Sequence, residues 1–410
     1  MHRARSTIRG AARLRLGRGM SAAATTPAPT PKTQKLLDLS AAYCCRLRAA
    51  GFVLSHGEGS YVFDTAGKRY LDFSAGIAVN ALGHADAGVV KTIAEQAGKL
   101  LHTSNVYHNE WAPRLAELLV TLTQREGGLG FARGTPGGGG AKVFFSNSGT
   151  EANEGALKIA RKVGKDRVGA GGSKTRIVCF EGAFHGRSMG ALSVTPNPKY
   201  QAPFAPLIPG VDVGVLNDAA GLETLITEET CAVIVEPIQG EGGVNSASAE
   251  WLVALRKRCD AVGACGLYRS GTLWAHSAMP VECHPDMVTM AKPLANGYPI
   301  GAVLLRDSVA GTMTAGTHGT TFGGSPLACA VGHHRVLNSR LAELPKRFPG
   351  VLEATVRGRQ PSTVVEMARS RGVFVLTAGK NVVRLVPSLN VGAEEVDTAV
   401  DVIAECIAEL

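Results

Sequence analysis

Lys142-Val143-Phe144-Phe145-Ser146-Asn147-Ser148-Gly149-Thr150-Glu151-Ala152-Asn153-Glu154, running on into Gly155–Arg161, is the stretch whose reading decides the fold. Lys142–Phe145 has the apolar character of a short buried strand, and Gly155–Arg161 has helical character. Ser148 with Glu151 three residues later has the spacing of a capping box, and Gly149 lets backbone approach a ligand closely. A strand, a turn of small residues and a helix N-terminus make a phosphate site, because free N–H groups and the positive end of the helix dipole point outward. Taken alone, the same pattern also suits an ordinary turn between a strand and a helix.

Outward from this turn the chain alternates. Val89–Leu101 and Trp111–Thr123 have helical periodicity, while Arg176–Phe180 and Ala232–Val235 are short apolar runs of strand type. This alternation predicts an α/β fold around a mainly parallel sheet. Gly127–Gly140, rich in glycine, is expected to be a surface loop. Before this region, Tyr61-Val62-Phe63 and Arg69–Phe73 flank Asp64-Thr65-Ala66-Gly67, a hairpin pattern. From about Ser325 onward, helical segments lead to strand runs at Gly372–Leu376 and Val382–Val386, the pattern of a smaller α+β unit. The expected organisation is a leader over 1–31, a segment over 32–87 that joins the small unit, a large domain over 88–324 and a small domain over 325–410. No internal repeat is present.

Composition narrows the function classes. A chain of 410 residues, 45% hydrophobic and 19% charged, can bury a large core, and no apolar run approaches the length of a membrane span. The net charge of +9 owes much to Arg3, Arg5, Arg9, Arg13, Arg15 and Arg18; setting those six aside leaves about +3, which argues against a nucleic-acid surface. Met1–Pro31 is rich in Arg, Ser, Thr and Ala, and the first acidic residue is Asp38, the composition of a mitochondrial presequence. The nine cysteines form no C-x-x-C pair, which suggests buried thiols rather than a metal site or a disulfide framework.

Lys292 follows the apolar run Met287–Ala291 and precedes Pro293. An ammonium at the end of a buried strand must be paired, desolvated or covalently used. Desolvation lowers a lysine pKa and exposes a nucleophilic amine, which suits imine formation with a carbonyl. A lysine snorkelling from a strand end gives the same local pattern.

Further motifs follow in order: Glu181-Gly182-Ala183-Phe184-His185-Gly186-Arg187, Val235-Glu236-Pro237-Ile238-Gln239-Gly240-Glu241-Gly242-Gly243, Ala291-Lys292-Pro293-Leu294, and His318-Gly319-Thr320-Thr321-Phe322-Gly323-Gly324. With Ser146–Glu154 they resemble the class III aminotransferases, from about Leu36 to the C-terminus. The resemblance implies the fold type I of transferases dependent on pyridoxal 5′-phosphate (PLP), with Lys292 as catalytic residue and covalent anchor of the cofactor. It implies that Ser148, Gly149 and Thr150 hold the phosphate, that Phe184 stacks on the ring, and that Thr321 reaches the cofactor of a neighbouring subunit in a homodimer with shared sites. Arg187 and Arg384 are implied to clamp substrate carboxylates, with Thr320 near the substrate and Glu241 as a gate on Arg384. A planar guanidinium suits a carboxylate because it forms two parallel hydrogen bonds.

The resemblance also implies transamination of an amino acid with 2-oxoglutarate. In Ser74-Ala75-Gly76-Ile77-Ala78-Val79-Asn80, Gly76 stands where ornithine aminotransferases resemble one another in having a tyrosine. A glycine leaves room for an N-acyl group, so N2-acetylornithine is the expected substrate, and a mitochondrial matrix enzyme of arginine biosynthesis is the expected setting. Free ornithine or another ω-amino acid is the alternative, and a non-catalytic chain is a third.

That third reading rests on departures from the family pattern. After the helical run Trp251–Ala261 a buried strand should follow within a few residues. Instead Val262-Gly263-Ala264 leads through Cys265-Gly266-Leu267 to Tyr268-Arg269-Ser270-Gly271-Thr272, so a central strand is expected to be missing. The resemblance implies a strand here ending in Asp-Glu-x-Gln, whose Asp pairs with the ring nitrogen and whose neighbour packs the ring. Without them Cα deprotonation is expected to be slow. His333–Leu344 is short for an inter-domain helix, and Arg357-Gly358-Arg359 runs through Gln360-Pro361 into a helix where an apolar strand is implied. Abrupt losses inside close matches have the pattern of mis-joined exons or an unusual splice form.

Overall fold

Thr230–Val235 is buried at every one of its six positions, as a strand covered on both faces must be. It lies inside a seven-stranded sheet in the computed structural model, which describes residues 29–45, 51–169, 172–262, 265–269, 275–337, 354–355 and 361–410. In spatial order the strands are Ala141–Ser146, Gly301–Arg306, Met287–Met290, Cys265–Arg269, Thr230–Val235, Arg176–Phe180 and Val211–Gly214. All neighbours are parallel except at Gly301–Arg306, which runs antiparallel to both of its partners. The sheet is therefore mainly parallel, as the alternation of elements predicts.

The expected loss of a central strand is not borne out. Helix Ala249–Val262 is followed, after two residues, by the strand Cys265–Arg269. Leu267 pairs with Ile234 on one side and Met287 on the other, and Tyr268 with Val235 and Val288. Five residues suffice because the main chain alone closes both ladders, whatever side chains it carries. The acidic residue remains absent, since no Asp or Glu stands between Asp260 and Glu282.

Helix Gly149–Val168 covers one face of the sheet. Its small and apolar positions Ala152, Ala156, Ile159, Ala160 and Val163 are buried against Ile177, Ala232, Ile234, Met287 and Val303. Trp251, Leu252, Leu255 and Cys259 of helix Ala249–Val262 pack on the other face, against Phe180, Val233 and Val235. Helices Trp111–Glu126 and Pro326–Leu337 enclose a further cluster over Phe145, Leu294 and Ala302.

The hairpin Tyr61–Asp64/Arg69–Asp72 forms as its sequence suggests. Asp64 Oδ1 accepts the N–H groups of Ala66 and Lys68 at 2.8 and 2.9 Å, and Gly67 supplies the positive φ of 85° that the turn needs. Its outer strand is extended by Val373–Phe374, parallel to Leu71–Asp72, so the N-terminal hairpin and the C-terminal unit share one sheet. Helices Pro361–Ser370 and Ala393–Ala408 pack on it through Val364, Ala368, Ala399 and Ile403. Ala354–Thr355 pairs with Val382–Val383, close to where the expected apolar strand was found wanting. The leader falls outside the described residues up to 28, and so do 338–344 and 356–360, where two of the irregularities lie. Among the described residues no helix is long and apolar enough to cross a membrane; Cys179, Cys231, Cys259, Cys283, Cys329 and Cys406 are buried free thiols, and Cys44 and Cys45 are exposed ones.

The loop at Gly127–Gly140 is pinned by two histidines. His276 Nε2 accepts the N–H of Leu129 at 3.2 Å, and His284 Nδ1 accepts that of Gly130 at 3.3 Å. Both rings must be neutral to accept. Burial, with His284 nearby, pushes His276 down to about 3, and burial likewise lowers His284, whose other neighbours are Arg306, Glu282 and the Met279 carbonyl. A folded-state pKa below the unfolded value means stability that is complete above about pH 6.5 and falls as the pH drops. His276 alone should remove about 2 kcal/mol of stability between pH 6.5 and 5. Denaturant unfolding at the two pH values should show this loss. His276→Gln, which keeps an acceptor without a titrating ring, should flatten it.

Candidate active site

The strand Ala141–Ser146 ends at the turn read as a phosphate site. Ser148 caps the following helix, its Oγ accepting the N–H of Glu151 at 3.3 Å. The return arm differs by one residue from a standard capping box: Glu151 Oε2 accepts the N–H of Asn147 at 2.9 Å and its side-chain amide at 2.8 Å. Ala152 N–H to Ser148 O is the first bond of the helix, so the N–H groups of Gly149 and Thr150 are directed out of its end.

Two glycines let other chain segments reach this turn. A Cβ on Gly149 would lie 3.3 Å from the Cβ of Ala291, the residue before Lys292. A Cβ on Gly301 would overlap Ser146 Oγ and the carbonyl of Ser148. The helix end, the lysine turn and the antiparallel strand thus meet in space that only glycine leaves. Lys292 is half-buried and opens a short 3₁₀ turn, Lys292–Ala295, just beyond the strand Met287–Met290. Its φ is 44°, in the left-handed region that a lysine occupies only when its surroundings enforce it. Strain of this kind concentrates at functional positions.

The remaining expected residues form two groups around this centre. Phe184 donates its N–H to Glu236 Oε1 at 2.7 Å, and Glu236 Oε2 accepts that of Gly240 at 3.4 Å, so one buried carboxylate ties the Phe184 loop to the Gly240 turn. Three residues on one face of helix Gly149–Val168 hold the loop after Phe184. Thr150 Oγ1 shares a hydrogen bond of 2.6 Å with Ser188 Oγ, Asn153 Nδ2 donates to the His185 carbonyl at 2.5 Å, and Glu154 Oε1 accepts the N–H of Ala191 at 3.0 Å. Arg187 and Arg384 differ in state. Arg384 donates to the Gly240 carbonyl at 2.5 Å and to Glu241 Oε2 at 3.1 Å, the pairing expected of a gate. Arg187 makes no ion pair and no side-chain hydrogen bond among the described residues; its guanidinium lies over the rings of Tyr200 and Phe184.

Thr320 joins the phosphate turn of its own chain, its Oγ1 accepting from Asn147 Nδ2 at 3.0 Å. Thr321 is exposed beside Phe322 and is not brought to the other site residues. Gly76 has a φ of 64°, within a run of positive φ from Ala75 to Ala78. Ala75, Ile77 and Ala78 adopt the same region with side chains, so the backbone alone does not demand glycine at 76; a Cβ there would lie 3.2 Å from Asn80 Nδ2.

Residues 46–344 match the family model described as Aminotransferase class-III. The chain belongs to that family. It is 48% identical over 389 residues to the mitochondrial acetylornithine aminotransferase of Neurospora crassa, covering 86% of this chain and 82% of that protein. It is 49% identical over 393 residues to the protein of the same name in Yarrowia lipolytica, covering 87% and 92%. Among solved structures it superposes on the ornithine aminotransferase of Toxoplasma gondii that has partial occupancy of PLP at its active site, with a TM-score of 0.77 and 26% identity, covering 91% of this chain and 94% of that one.

The class-III family implies PLP, and the residues present fit it at the phosphate and aldehyde ends. Outward N–H groups at a twenty-residue helix suit a phosphate, and a strained lysine directly follows Ala291, whose Cβ approaches Gly149 at the start of that helix. At the ring-nitrogen end no carboxylate follows the strand Cys265–Arg269, and both oxygens of Glu236 already accept backbone N–H groups.

Sequence reasoning missed Asn147, Asn153, Glu154, Ser188 and Tyr200. Asn153 and Glu154 sit in the quoted motif at helical spacing from Thr150, which is a usable signal. Ser188 and Tyr200 act through tertiary contacts that leave no mark in the local pattern. Gly301→Ala should push the Ser148 carbonyl away and weaken PLP binding about tenfold or more, by roughly the cost of an overpacked site. Gly51→Ala, where a Cβ meets nothing within 4 Å, should leave it unchanged in the same fluorescence titration.

Proposed function

We propose that this aminotransferase moves the amino group of N2-acetylornithine to 2-oxoglutarate, giving N-acetylglutamate 5-semialdehyde and glutamate, with PLP as cofactor. The observation that carries the reading is the unequal state of the two arginines. A site that handles a diacid and a substrate lacking the second carboxylate needs one permanently available guanidinium and one that can be withdrawn. Arg187 makes no side-chain hydrogen bond among the described residues, and Arg384 is paired with Glu241. The named relatives and the small residue at Gly76 support acetylornithine over free ornithine.

In this reading the backbone N–H groups of Gly149 and Thr150, with Ser148 beside them, hold the phosphate. The Thr150 hydroxyl is engaged with Ser188, so the main chain and helix dipole carry this contact. Phe184 covers the ring face. When bound, PLP supplies the electron-accepting ring that stabilises negative charge at the carbon bearing the transferred amino group, C5 of N2-acetylornithine and Cα of glutamate. Lys292 Nζ would anchor the cofactor and, once freed, take the proton from that carbon and pass it on. Arg187 binds the α-carboxylate end of the substrate. Arg384 is released from Glu241 when 2-oxoglutarate brings a second carboxylate, and pairs with Glu241 again for acetylornithine. Thr320 lies near the substrate. With no acidic residue at the ring-nitrogen end, proton removal from the carbon bearing the transferred amino group is expected to limit turnover.

The working form is a homodimer with Thr321 reaching the neighbouring site, which the exposed Thr321 and Phe322 and the exposed Val106 and Tyr107 support. The chain acts in the mitochondrial matrix after loss of a leader over 1–31. The large domain is taken as 88–324 and the small domain as 325–410 joined by 32–87.

Initial rates with 2-oxoglutarate as acceptor test the substrate. N-acetylornithine should exceed free ornithine in kcat/KM by about tenfold or more, the scale a shaped pocket achieves without editing. A preference for ornithine would contradict the proposal.

A further inference from the structure

Arg187 is an exposed residue with no acidic partner among the described residues, yet it is not loose. Its guanidinium carbon lies 3.6 Å from the centroid of the Tyr200 ring and 5.5 Å from that of Phe184. Phe184 and Tyr200 meet edge to face at 6.4 Å and 87°, so the two rings form a corner and the guanidinium lies within it. A planar cation stacked on a ring is held by its face, which leaves the N–H donors along its edge. Those donors are what a carboxylate needs for two parallel hydrogen bonds.

The corner is rigid on both sides. Phe184 is fixed through its N–H to Glu236, and the residue after Arg187 is fixed by Thr150. Tyr200 sits in the turn Pro198–Gln201, started by Asn197, whose carbonyl accepts the Tyr200 N–H at 2.9 Å. Gln201 Nε2 bonds the Leu192 carbonyl at 3.0 Å, joining this turn to the helix Met189–Ser193 that follows Arg187. Arginine and tyrosine are therefore mounted on one scaffold. Arg384 is held differently, by hydrogen bonds from its two terminal nitrogens to the Gly240 carbonyl and Glu241.

We propose that Tyr200 is a positioning residue for carboxylate recognition: its ring pre-orients Arg187 with the donor edge free, so that substrate binding does not have to immobilise a long exposed side chain. This rests on the reading of Arg187 as the carboxylate-binding arginine. A stacked guanidinium is worth about 0.5–2 kcal/mol, so removing the ring should weaken carboxylate binding by about two- to thirtyfold.

The test uses the full-length protein loaded with PLP and reads both calorimetric binding of glutarate, an unreactive dicarboxylate, and KM for 2-oxoglutarate. Tyr200→Leu should raise Kd and KM within that range, with kcat, PLP affinity and the PLP absorption spectrum unchanged. Tyr200→Phe, which keeps the ring, should restore both to within about twofold. Tyr200→Met, similar in bulk without a π-face, gives the same expected loss if the leucine variant folds poorly. Equal losses in the Phe and Leu variants would overturn the proposal by showing that the hydroxyl, not the ring, matters. Unchanged Kd in Tyr200→Leu would overturn it while leaving the Arg187 reading intact, provided Arg187→Lys weakens glutarate. If Arg187→Lys also leaves glutarate unchanged, the carboxylate reading itself fails.

Discussion

The close approach of Ala291 to Gly149 is the contact on which the site depends. It brings the residue before Lys292 against the first turn of helix Gly149–Val168, so the lysine turn and the N-terminus of that helix lie side by side. Any side chain at 149 would narrow that gap, and any at 301 would push the same turn from the other side. The positive φ at Lys292 is a further consequence, because the chain must turn sharply after Met287–Met290 to pass the helix end. Strain and close packing are two aspects of one constraint, and the sheet beneath sustains it through the strands Ala141–Ser146, Gly301–Arg306 and Met287–Met290.

Polar ties extend this constraint to the residues that meet substrate. Glu236, buried at the end of the innermost apolar strand, fixes the Phe184 loop and the Gly240 turn together. The Gly240 turn in turn meets Arg384, delivered by the strand Val382–Arg384 of the smaller sheet. Asn296, just past the lysine turn, accepts the N–H of Leu82 at 2.6 Å and donates to the Gly83 carbonyl at 3.1 Å. That bond pair links the lysine turn to the segment carrying Gly76. The N-terminal hairpin and the C-terminal strands therefore act on the same centre from one side.

What the sequence made legible is what is local. Ser148, Gly149 and Glu151 form one turn, so their spacing carried the helix cap, with the return arm one residue out. Lys292 was marked by an apolar run and a proline. The Arg384–Glu241 pair came only through family resemblance, since 143 positions separate the two residues. The expected loss of a central strand failed because strand existence depends on backbone ladders, and Cys265–Arg269 finds a ladder on either side despite its short approach. The absence of an acid there depends on side-chain identity alone and could be read directly. Tyr200 was invisible, since its function comes from a ring placed over Arg187 by a separate turn.

Borohydride reduction of the PLP-treated native protein, followed by mass spectrometry of its peptides, tests the central claim most directly. The account predicts one reduced pyridoxyl phosphate adduct, on the peptide that contains Lys292, because among the described residues this lysine follows the residue packed against the helix end proposed to hold the phosphate. An adduct spread over several lysines, or absent from Lys292, would contradict it.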